Sequence, residues 1–152
     1  MDNPSIETVN VKNVYEKIAR HFDKTRFKVW PSVQKFIDNI PSHSLVLDVG
    51  CGNGKNMCRD DIYFIGSDFC QNFANICGSN GKNIIMANSK YLPIKDNSVN
   101  YVMCIAMLHH IYREDDQTMV SFNSLDDITA GSRCAHLKGE TMPLSWKSIF
   151  ID

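Results

Sequence analysis

Apolar residues follow two different spacings along the chain. Over residues 11–22 they recur every three or four positions, which predicts an amphipathic helix. A second helix is predicted to begin near Trp30 and Pro31, because proline is favoured in a first helical turn, and to end at Pro41. The first forty residues are therefore expected to be mainly helical.

Four short apolar runs typical of buried strands follow these helices. They are "SLVLDVG", "IYFIGSD", "NIIMA" and "VNYVMCIA", at residues 44–50, 62–68, 83–87 and 99–106. Between the second and third runs, residues 70–78 have helical spacing and end at Gly78. This alternation predicts an α/β domain with a parallel sheet and helices on both faces.

Residues 112–152 follow neither spacing and are rich in turn-forming residues. We expect residues 1–111 to form two helices and half of a domain, and residues 112–152 to form a divergent, poorly ordered tail. The tail is predicted to add a weak helix near 115–123 and one irregular strand at most. The fourth strand would then present an unpaired edge with Val102, Met103 and Ile105, which is an aggregation liability.

Composition narrows the class of protein. Hydrophobic residues make up 43% of the 152 residues, charged residues make up 22%, and no apolar run approaches the length of a membrane span. The polar, acidic N-terminus does not resemble a secretory signal. The six cysteines form no C-x-x-C pair, which argues against a zinc site and against a disulfide framework. We expect reduced thiols in a cytoplasmic or nuclear protein.

Charge is uneven although the net charge is only −1. The segment from Lys12 to Ile40 contains seven basic and three acidic residues, so its local net charge is +4. Such a run is usually a solvated helix face, and the alternative is part of a phosphate-binding surface.

The stretch "LVLDVGCGNGKN" at residues 45–56 joins a strand to three alternating glycines, Gly50, Gly52 and Gly54. Glycine permits a tight turn and close approach of a ligand to the backbone. The spacing fits neither the dinucleotide G-x-G-x-x-G pattern nor the P-loop. Asp68 ends the second strand, where a carboxylate can accept hydrogen bonds from ribose hydroxyls. Asp48 is placed to hold the loop or an amino group of the ligand.

This combination resembles the class I S-adenosylmethionine-dependent methyltransferases, which have a Rossmann-like fold. Over residues 11–111 the chain resembles more narrowly the eukaryotic tRNA wobble-uridine carboxymethyl methyltransferase family. The residues that carry this likeness are "VYEKIARHFDKTRFKVWPSVQKFI", "LVLDVGCGNGKN", "YFIGSDFC" and "YLPIKDNSVNYVMCIAMLHHI".

The resemblance implies S-adenosylmethionine as cofactor, with its methionine part against Asp48, Gly50, Gly52 and Gly54. It implies that Asp68 binds the ribose.

The resemblance also implies an adenine contact after the third strand. Relatives have an acid there and this chain has Asn88, an amide that still offers an oxygen but without a charge. Ser89 would lie beside the adenine edge. Ile105 and Ala106 would lie at the edge of the methyl-transfer site.

The substrate implied by the resemblance is the carboxymethyl group of a tRNA wobble uridine, which becomes a methyl ester. A carboxylate is ionised at neutral pH, so no general base is required. Arg26 is a candidate for holding a carboxylate, and His109 and His110 for shaping the acceptor pocket. Surface or structural roles remain the alternatives for these three, and Trp30 is either core or a stacking surface.

The resemblance further implies a small zinc-binding activator protein that adds a strand at the third-strand edge. Complete relatives have seven strands and a C-terminal part that residues 112–152 do not match. Two readings therefore stay open beside the tRNA methyltransferase. One is a truncated, non-catalytic relative that binds cofactor weakly or sequesters the activator, and the other is a small-molecule methyltransferase.

Overall fold

Three helices are present in the part of the chain that the computed structural model describes. That part comprises residues 11–26, 28–95, 98–107, 110 and, for the backbone alone, 148–151. The helices are α1 (Asn13–Thr25), α2 (Pro31–Asp38) and α3 (Gln71–Ser79). All three lie where the apolar spacing predicted them. Pro31 opens α2, in agreement with its preference for the first turn.

The strands form one parallel sheet in the order β3-β2-β1-β4-β5. Their bounds are β1 Leu45–Val49, β2 Tyr63–Asp68, β3 Ile84–Met86, β4 Tyr101–Ile105 and β5 Ser148–Ile151. The four predicted strands are confirmed, and the arrangement is Rossmann-like, as expected.

The prediction of an unpaired fourth strand was wrong. The C-terminal segment Ser148–Ile151 pairs in parallel with β4, from Val102 opposite Ser148 to Ile105 opposite Ile151. Val102 and Met103 are completely buried and Ile105 is 8% exposed. The tail therefore supplies a regular strand that satisfies the backbone groups along this edge of β4. The helix predicted near 115–123 lies outside the described residues.

The sheet is apolar on both faces. On one face, Val46 and Met103 pack with α2 and with Cys77 of α3. On the other, Leu47 and Val102 form a second buried cluster. Within the described residues this second face is covered by Leu92, Ile94 and Met107 rather than by a helix, so a helix there stays a prediction.

No helix among the described residues has the length and hydrophobicity that a bilayer crossing requires.

Candidate functional site

A glycine loop follows β1 at the carboxyl ends of the strands. Ligands of parallel α/β folds bind at this end of the sheet. Gly50, Gly52 and Gly54 have φ angles of +70°, +56° and +72°, which side-chain-bearing residues rarely adopt. A Cβ at Gly50 would also lie only 2.4 Å from Cγ of Met107. Both the backbone conformation and the close packing therefore require glycine at this position.

Backbone hydrogen bonds fasten this loop to β2. The N–H groups of Gly50 and Cys51 donate to the carbonyl of Ser67 at 2.8 and 3.0 Å. The N–H of Gly52 donates to Oδ2 of Asp68 at 2.9 Å. The loop conformation is thus set before any ligand arrives.

Asp68 connects the glycine loop to α3. Its Oδ2 accepts from Gly52, and its Oδ1 accepts from the N–H of Cys70 at 2.9 Å, at the start of α3. Burial raises the pKa of Asp68, and the backbone hydrogen bonds from Cys70 and Gly52 oppose that rise. Each carboxylate oxygen can accept a further hydrogen bond.

Asp48 lies beneath the loop and is completely buried. Neither of its oxygens has a hydrogen-bond partner among the described residues, and the same holds for Oδ1 of Asn56. Burial raises the pKa of Asp48 to about 7, the negative charge of Asp68 adds to the rise, and Asn56 and Lys55 oppose it. Asp48 therefore changes its charge state near neutral pH.

A cavity of about 590 Å³ opens above the loop, within the range usual for small-molecule and cofactor sites. Its walls include the ends of β1, β2 and β4 and one side of α1. Ala106, which follows β4 in this wall, has a φ of +52°, a strained conformation of the kind often found at functional sites.

Helix α1 covers one side of the cavity through an aromatic cluster. The rings of Tyr15, Phe22 and Phe73 meet pairwise with centroids 5.2–5.8 Å apart. Glu16 secures the same helix to α3, because its Oε1 and Oε2 accept from the N–H groups of Gln71 (2.7 Å) and Asn72 (3.0 Å). The wall is thus held by side chains from two separate helices.

Basic side chains outnumber acidic ones around the cavity. One carboxylate, Asp68, is among the described lining residues. The cationic lining residues are Lys12, Arg26, Lys28, Lys55 and Lys90. The cavity is therefore suited to a ligand or substrate with negative charge at its mouth.

Two of these cations lie over aromatic rings. The Arg26 guanidinium is 4.9 Å from the centroid of Phe22, and Nζ of Lys55 is 5.3 Å from that of Trp30. Trp30 is 40% exposed and lines the cavity, so it is not a core residue.

His110 contacts Tyr15 across the cavity wall. The Tyr15 hydroxyl lies 2.9 Å from Nε2 of His110, and the two rings meet edge to face at 5.2 Å. Burial raises the pKa of Tyr15, nearby Arg26 opposes the rise, and Asp68 adds to it. Tyr15 consequently stays protonated at neutral pH.

Most of the residues singled out from the sequence line this one cavity. They are Arg26, Gly50, Gly52, Asp68, Asn88, Ser89, Ile105, Ala106 and His110. Asp48 and Gly54 are buried beside the loop and do not line it. His109 lies outside the described residues.

Sequence reasoning missed the part of the site that α1 supplies. Tyr15 and Phe22 lie in the segment 11–22, which was predicted only as an amphipathic helix, and Phe73 lies in the segment 70–78 of helical spacing. The available signal was that this face combined aromatic residues with the basic run around Arg26.

Comparison with known proteins identifies the domain family. Residues 47–122 match the methyltransferase domain family. This match to the general domain family runs eleven residues beyond residue 111, and the boundary at residue 111 stays a prediction.

Curated relatives are similar over most of the chain. A tRNA (carboxymethyluridine(34)-5-O)-methyltransferase from Arabidopsis thaliana is 39% identical over 74% of this chain and 28% of its own length. The enzyme of the same description from Schizosaccharomyces pombe is 34% identical over 84% of this chain and 56% of its own. The chain thus spans between about a quarter and about half of these relatives.

Solved structures share the fold. Magnesium protoporphyrin IX methyltransferase from Synechocystis with bound SAM has a TM-score of 0.63 at 15% identity, covering 85% of this chain and 75% of that one. A complex between the Haloferax volcanii Trm112 methyltransferase activator and its methyltransferase partner gives 0.59 at 18% identity, covering 72% and 52%.

Proposed function

The chain belongs to the methyltransferase domain family, and from this premise we propose that it binds S-adenosylmethionine and methylates the carboxymethyl group of wobble uridine in tRNA to a methyl ester. One observation carries the proposal: a preformed glycine loop bonded to Asp68 forms the floor of a cavity whose mouth is cationic. The names of the Arabidopsis and fission-yeast relatives indicate the same reaction.

The residues present suit the cofactor. Asp68, which is half-buried and lines the cavity, offers carboxylate oxygens for ribose hydroxyls. Oδ1 of Asn88 accepts from the N–H of Lys90 at 3.0 Å, which orients the amide at the edge of the cavity. The unpaired carboxylate of Asp48 beneath the loop would favour a cationic ligand above it. When bound, S-adenosylmethionine supplies an activated methyl group on a sulfonium centre.

The protein's part in the reaction is positioning. The substrate carboxylate is ionised at neutral pH, so no residue has to remove a proton from it. Arg26 and Lys55, at the mouth of the cavity, would hold that carboxylate in line with the methyl group. Ile105 and Met107 provide an apolar wall that excludes water.

The Tyr15–His110 pair would hold the acceptor side of the pocket in shape. The hydroxyl and the imidazole share a hydrogen bond across 95 positions of sequence. His109, the neighbouring candidate, stays a prediction.

The exposed Trp30 and the surrounding cations would receive the anticodon loop. An exposed indole at a cavity mouth is a stacking surface for an unpaired base. Lysine and arginine side chains beside it would bind backbone phosphates.

The edge of the sheet at β3 is a candidate docking site for a small zinc-binding activator. β3 is the outermost strand at this side of the described sheet, and Met86 on it is 53% exposed. Addition of a strand here would satisfy its free backbone groups. A fold relative forms a complex with the Trm112 activator. A Met86→Lys variant is expected to lose co-purification with a co-expressed activator, and retention would argue against this edge.

A second candidate function is a non-catalytic relative that binds cofactor weakly or sequesters the activator. The chain spans 28% and 56% of the two relatives, so the activity of the whole relatives is a proposal for it. A cytoplasmic or nuclear location stays a prediction under either reading.

One pair of measurements separates the two. Thermal unfolding is recorded with and without S-adenosylhomocysteine, and transfer of a labelled methyl group to tRNA bearing carboxymethyluridine is assayed with and without activator. A ligand at about 100 times its Kd should stabilise the fold by roughly 2.7 kcal/mol. A thermal shift with methyl transfer supports the enzyme. A shift without transfer in either condition supports the non-catalytic form, and no shift refutes cofactor binding.

A further inference from the structure

A buried asparagine joins the glycine loop to the end of α1. Asn53 lies between Gly52 and Gly54 and is 6% exposed. Its Nδ2 donates to Oδ1 of Asp23 at 3.0 Å and to the backbone carbonyl of Arg26 at 3.2 Å. Among the described residues, these are the two hydrogen bonds that join the loop to α1 or to its C-cap.

The two acceptors fix the orientation of the Asn53 amide. A carboxylate oxygen and a carbonyl oxygen can only accept, so the amide must present its two N–H groups to them. The carbonyl of Arg26 follows the last turn of α1, where backbone carbonyls have no partner within the helix. Asp23 lies in that last turn, where a negative charge opposes the helix dipole. The hydrogen bond from Asn53 offsets this unfavourable placement of Asp23.

The loop is held independently of α1. The N–H of Gly52 donates to Oδ2 of Asp68 at 2.9 Å, at the end of β2. Nearer the other end of α1, the carboxylate of Glu16 accepts from the N–H groups at the start of α3. The hydrogen bonds of Asn53 therefore set where the C-terminal end of α1 lies above a loop that is already fixed.

The guanidinium of Arg26 depends on this end of the helix. No carboxylate among the described residues forms an ion pair with Arg26. Its N–H donates to the carbonyl of Phe22 at 2.9 Å, and its guanidinium lies over the ring of Phe22. Lys55 follows Asn53 by two positions on the loop, and the nearby charge of Arg26 adds to the burial that lowers the pKa of Lys55. The spacing of the two cations thus depends on how α1 is joined to the loop.

We propose that Asn53 is a positioning residue for methyl transfer: by holding the end of α1 against the glycine loop, it keeps the guanidinium of Arg26 at a fixed distance from Lys55, so that both cations can receive the substrate carboxylate. The inference rests on the proposed function, in which Arg26 and Lys55 hold that carboxylate. Both N–H groups of the Asn53 amide are used by α1 and its C-cap, so Asn53 acts through Arg26 and not on the substrate.

Removal of the amide should affect positioning more than folding. Asp23 is half-buried and Arg26 is exposed, so water can replace the two lost hydrogen bonds. The contact of Glu16 with α3 remains and keeps the helix docked. Asn53→Ala is therefore expected to fold while the C-terminal end of α1 loses its fixed position.

The test uses the full chain and two anticodon stem-loop RNAs that differ only at the wobble position, one with carboxymethyluridine and one with uridine. The ratio of their dissociation constants measures recognition of the carboxylate and does not require methyl transfer. The wild type is expected to prefer the carboxymethyl RNA about tenfold, the value of one charge-assisted hydrogen bond. Asn53→Ala should lower this preference to about threefold. Asn83→Ala, at an exposed position outside the cavity lining, is the matched control and should keep it.

A double-mutant cycle separates positioning from a general structural role. Arg26→Ala keeps the backbone carbonyl that Asn53 contacts and should lower the preference to about twofold. Adding Asn53→Ala to Arg26→Ala should lower it no further, because the side chain that Asn53 positions is already absent. A residue that acted only through stability would lower the preference in both backgrounds.

Two variants of Asp23 keep the test decisive if Asn53→Ala does not fold. Asp23→Ala removes one of the two acceptors and should lower the preference about twofold. Asp23→Asn keeps an acceptor oxygen without the charge and should behave like the wild type. Equal preferences in these two variants would assign the effect to charge rather than to the hydrogen bond, which overturns the inference.

The inference and the proposed function fail differently. Equal binding of both RNAs by the wild type, or a preference that Arg26→Ala does not change, refutes the proposed carboxylate contact and the positioning role with it. A preference that Arg26→Ala lowers and Asn53→Ala leaves at its wild-type value refutes the positioning role alone. Additive losses in the double variant, or an equally large loss of S-adenosylhomocysteine affinity in Asn53→Ala, would show that Asn53 shapes the loop itself and would likewise overturn the inference.

Discussion

The floor and the mouth of the cavity are built in opposite ways. The floor consists of the half-buried carboxylate of Asp68 and a loop whose backbone is fixed by hydrogen bonds, with the completely buried Asp48 beneath the loop. The mouth consists of charged side chains such as Arg26 and Lys55, held over the exposed faces of aromatic rings.

Burial determines what each region can tolerate. Charges at the floor are shielded from water and salt, so a change there alters stability and cofactor affinity strongly. Charges at the mouth are screened, so a change there mainly alters the binding of an anionic substrate. Cofactor binding at the floor and substrate binding at the mouth should therefore be separable by mutation.

The largest effect is expected from Asp48→Asn at the floor. Well below pH 3.8 the carboxyl is neutral in both states, and as pH rises towards 7 the unfolded chain loses this proton while the folded chain keeps it. Stability therefore falls between about pH 4 and 7 and is level above 7, by ~4 kcal/mol for a pKa raised from 3.8 to about 7. Asp48→Asn should remove this loss and melt several degrees higher at pH 8.

The expected gain in stability of the Asp48→Asn variant has a second source. The new amide can donate to Oδ1 of Asn56, which has no partner among the described residues. Urea unfolding of both proteins at pH 5 and pH 8 measures the difference. Equal stability of wild type and variant at pH 8 would show that the Asp48 charge carries no penalty.

The second effect is loss of cofactor affinity in Asp68→Asn. An amide has one acceptor oxygen where the carboxylate has two, so it cannot serve Gly52, Cys70 and a ribose equally well. Calorimetric titration with S-adenosylhomocysteine should show binding weakened about 100-fold, the value of one or two charge-assisted hydrogen bonds. Asp60→Asn, at an exposed position, is the matched control and should bind like the wild type.

The third effect tests the mouth alone. Arg26→Ala should lower kcat/KM for tRNA about tenfold, because one charged contact to a carboxylate or phosphate is lost, while S-adenosylhomocysteine affinity stays unchanged. Arg20→Ala removes an exposed charge from α1, outside the cavity lining, and is the control. A loss of cofactor affinity in Arg26→Ala would show that floor and mouth are not separate.

The same contrast explains what could be predicted from the sequence. The residues of the floor are close together in the sequence. A strand, an acid and three alternating glycines occur at residues 45–54, and Asp68 ends the next strand. The methyltransferase fold was recognisable from these short-range patterns. The pKa of Asp48 was not, because burial from all sides cannot be read from neighbours in sequence.

The features that were missed depend on long-range contacts. β5 is four residues long and pairs with a strand more than forty positions earlier, with no periodic segment to announce it. The Tyr15–His110 hydrogen bond likewise joins residues 95 positions apart. Such contacts arise only when the sheet brings distant segments to one edge.

The smallest effect is expected at Glu16, which joins α1 to the start of α3. Burial alone would raise the pKa of Glu16, but hydrogen bonds from Gln71 and Asn72 outweigh it, so the pKa is lowered. The Glu16 carboxylate therefore adds to the free energy of unfolding above the unfolded pKa, and this stabilisation is lost as pH falls through the folded pKa. Glu16→Gln should therefore cost ~1 kcal/mol at pH 7 and less at pH 3, which lies below the unfolded pKa of 4.5.

Urea unfolding at the two pH values measures this change, with the exposed neighbour Lys17→Gln as the control. Because Glu16 fastens α1 to the start of α3, its loss should also weaken cofactor and tRNA binding together by a few-fold, unlike Asp68→Asn or Arg26→Ala. If Glu16→Gln weakened only cofactor binding or only tRNA binding, the contact between α1 and α3 would not couple the floor of the cavity to its mouth.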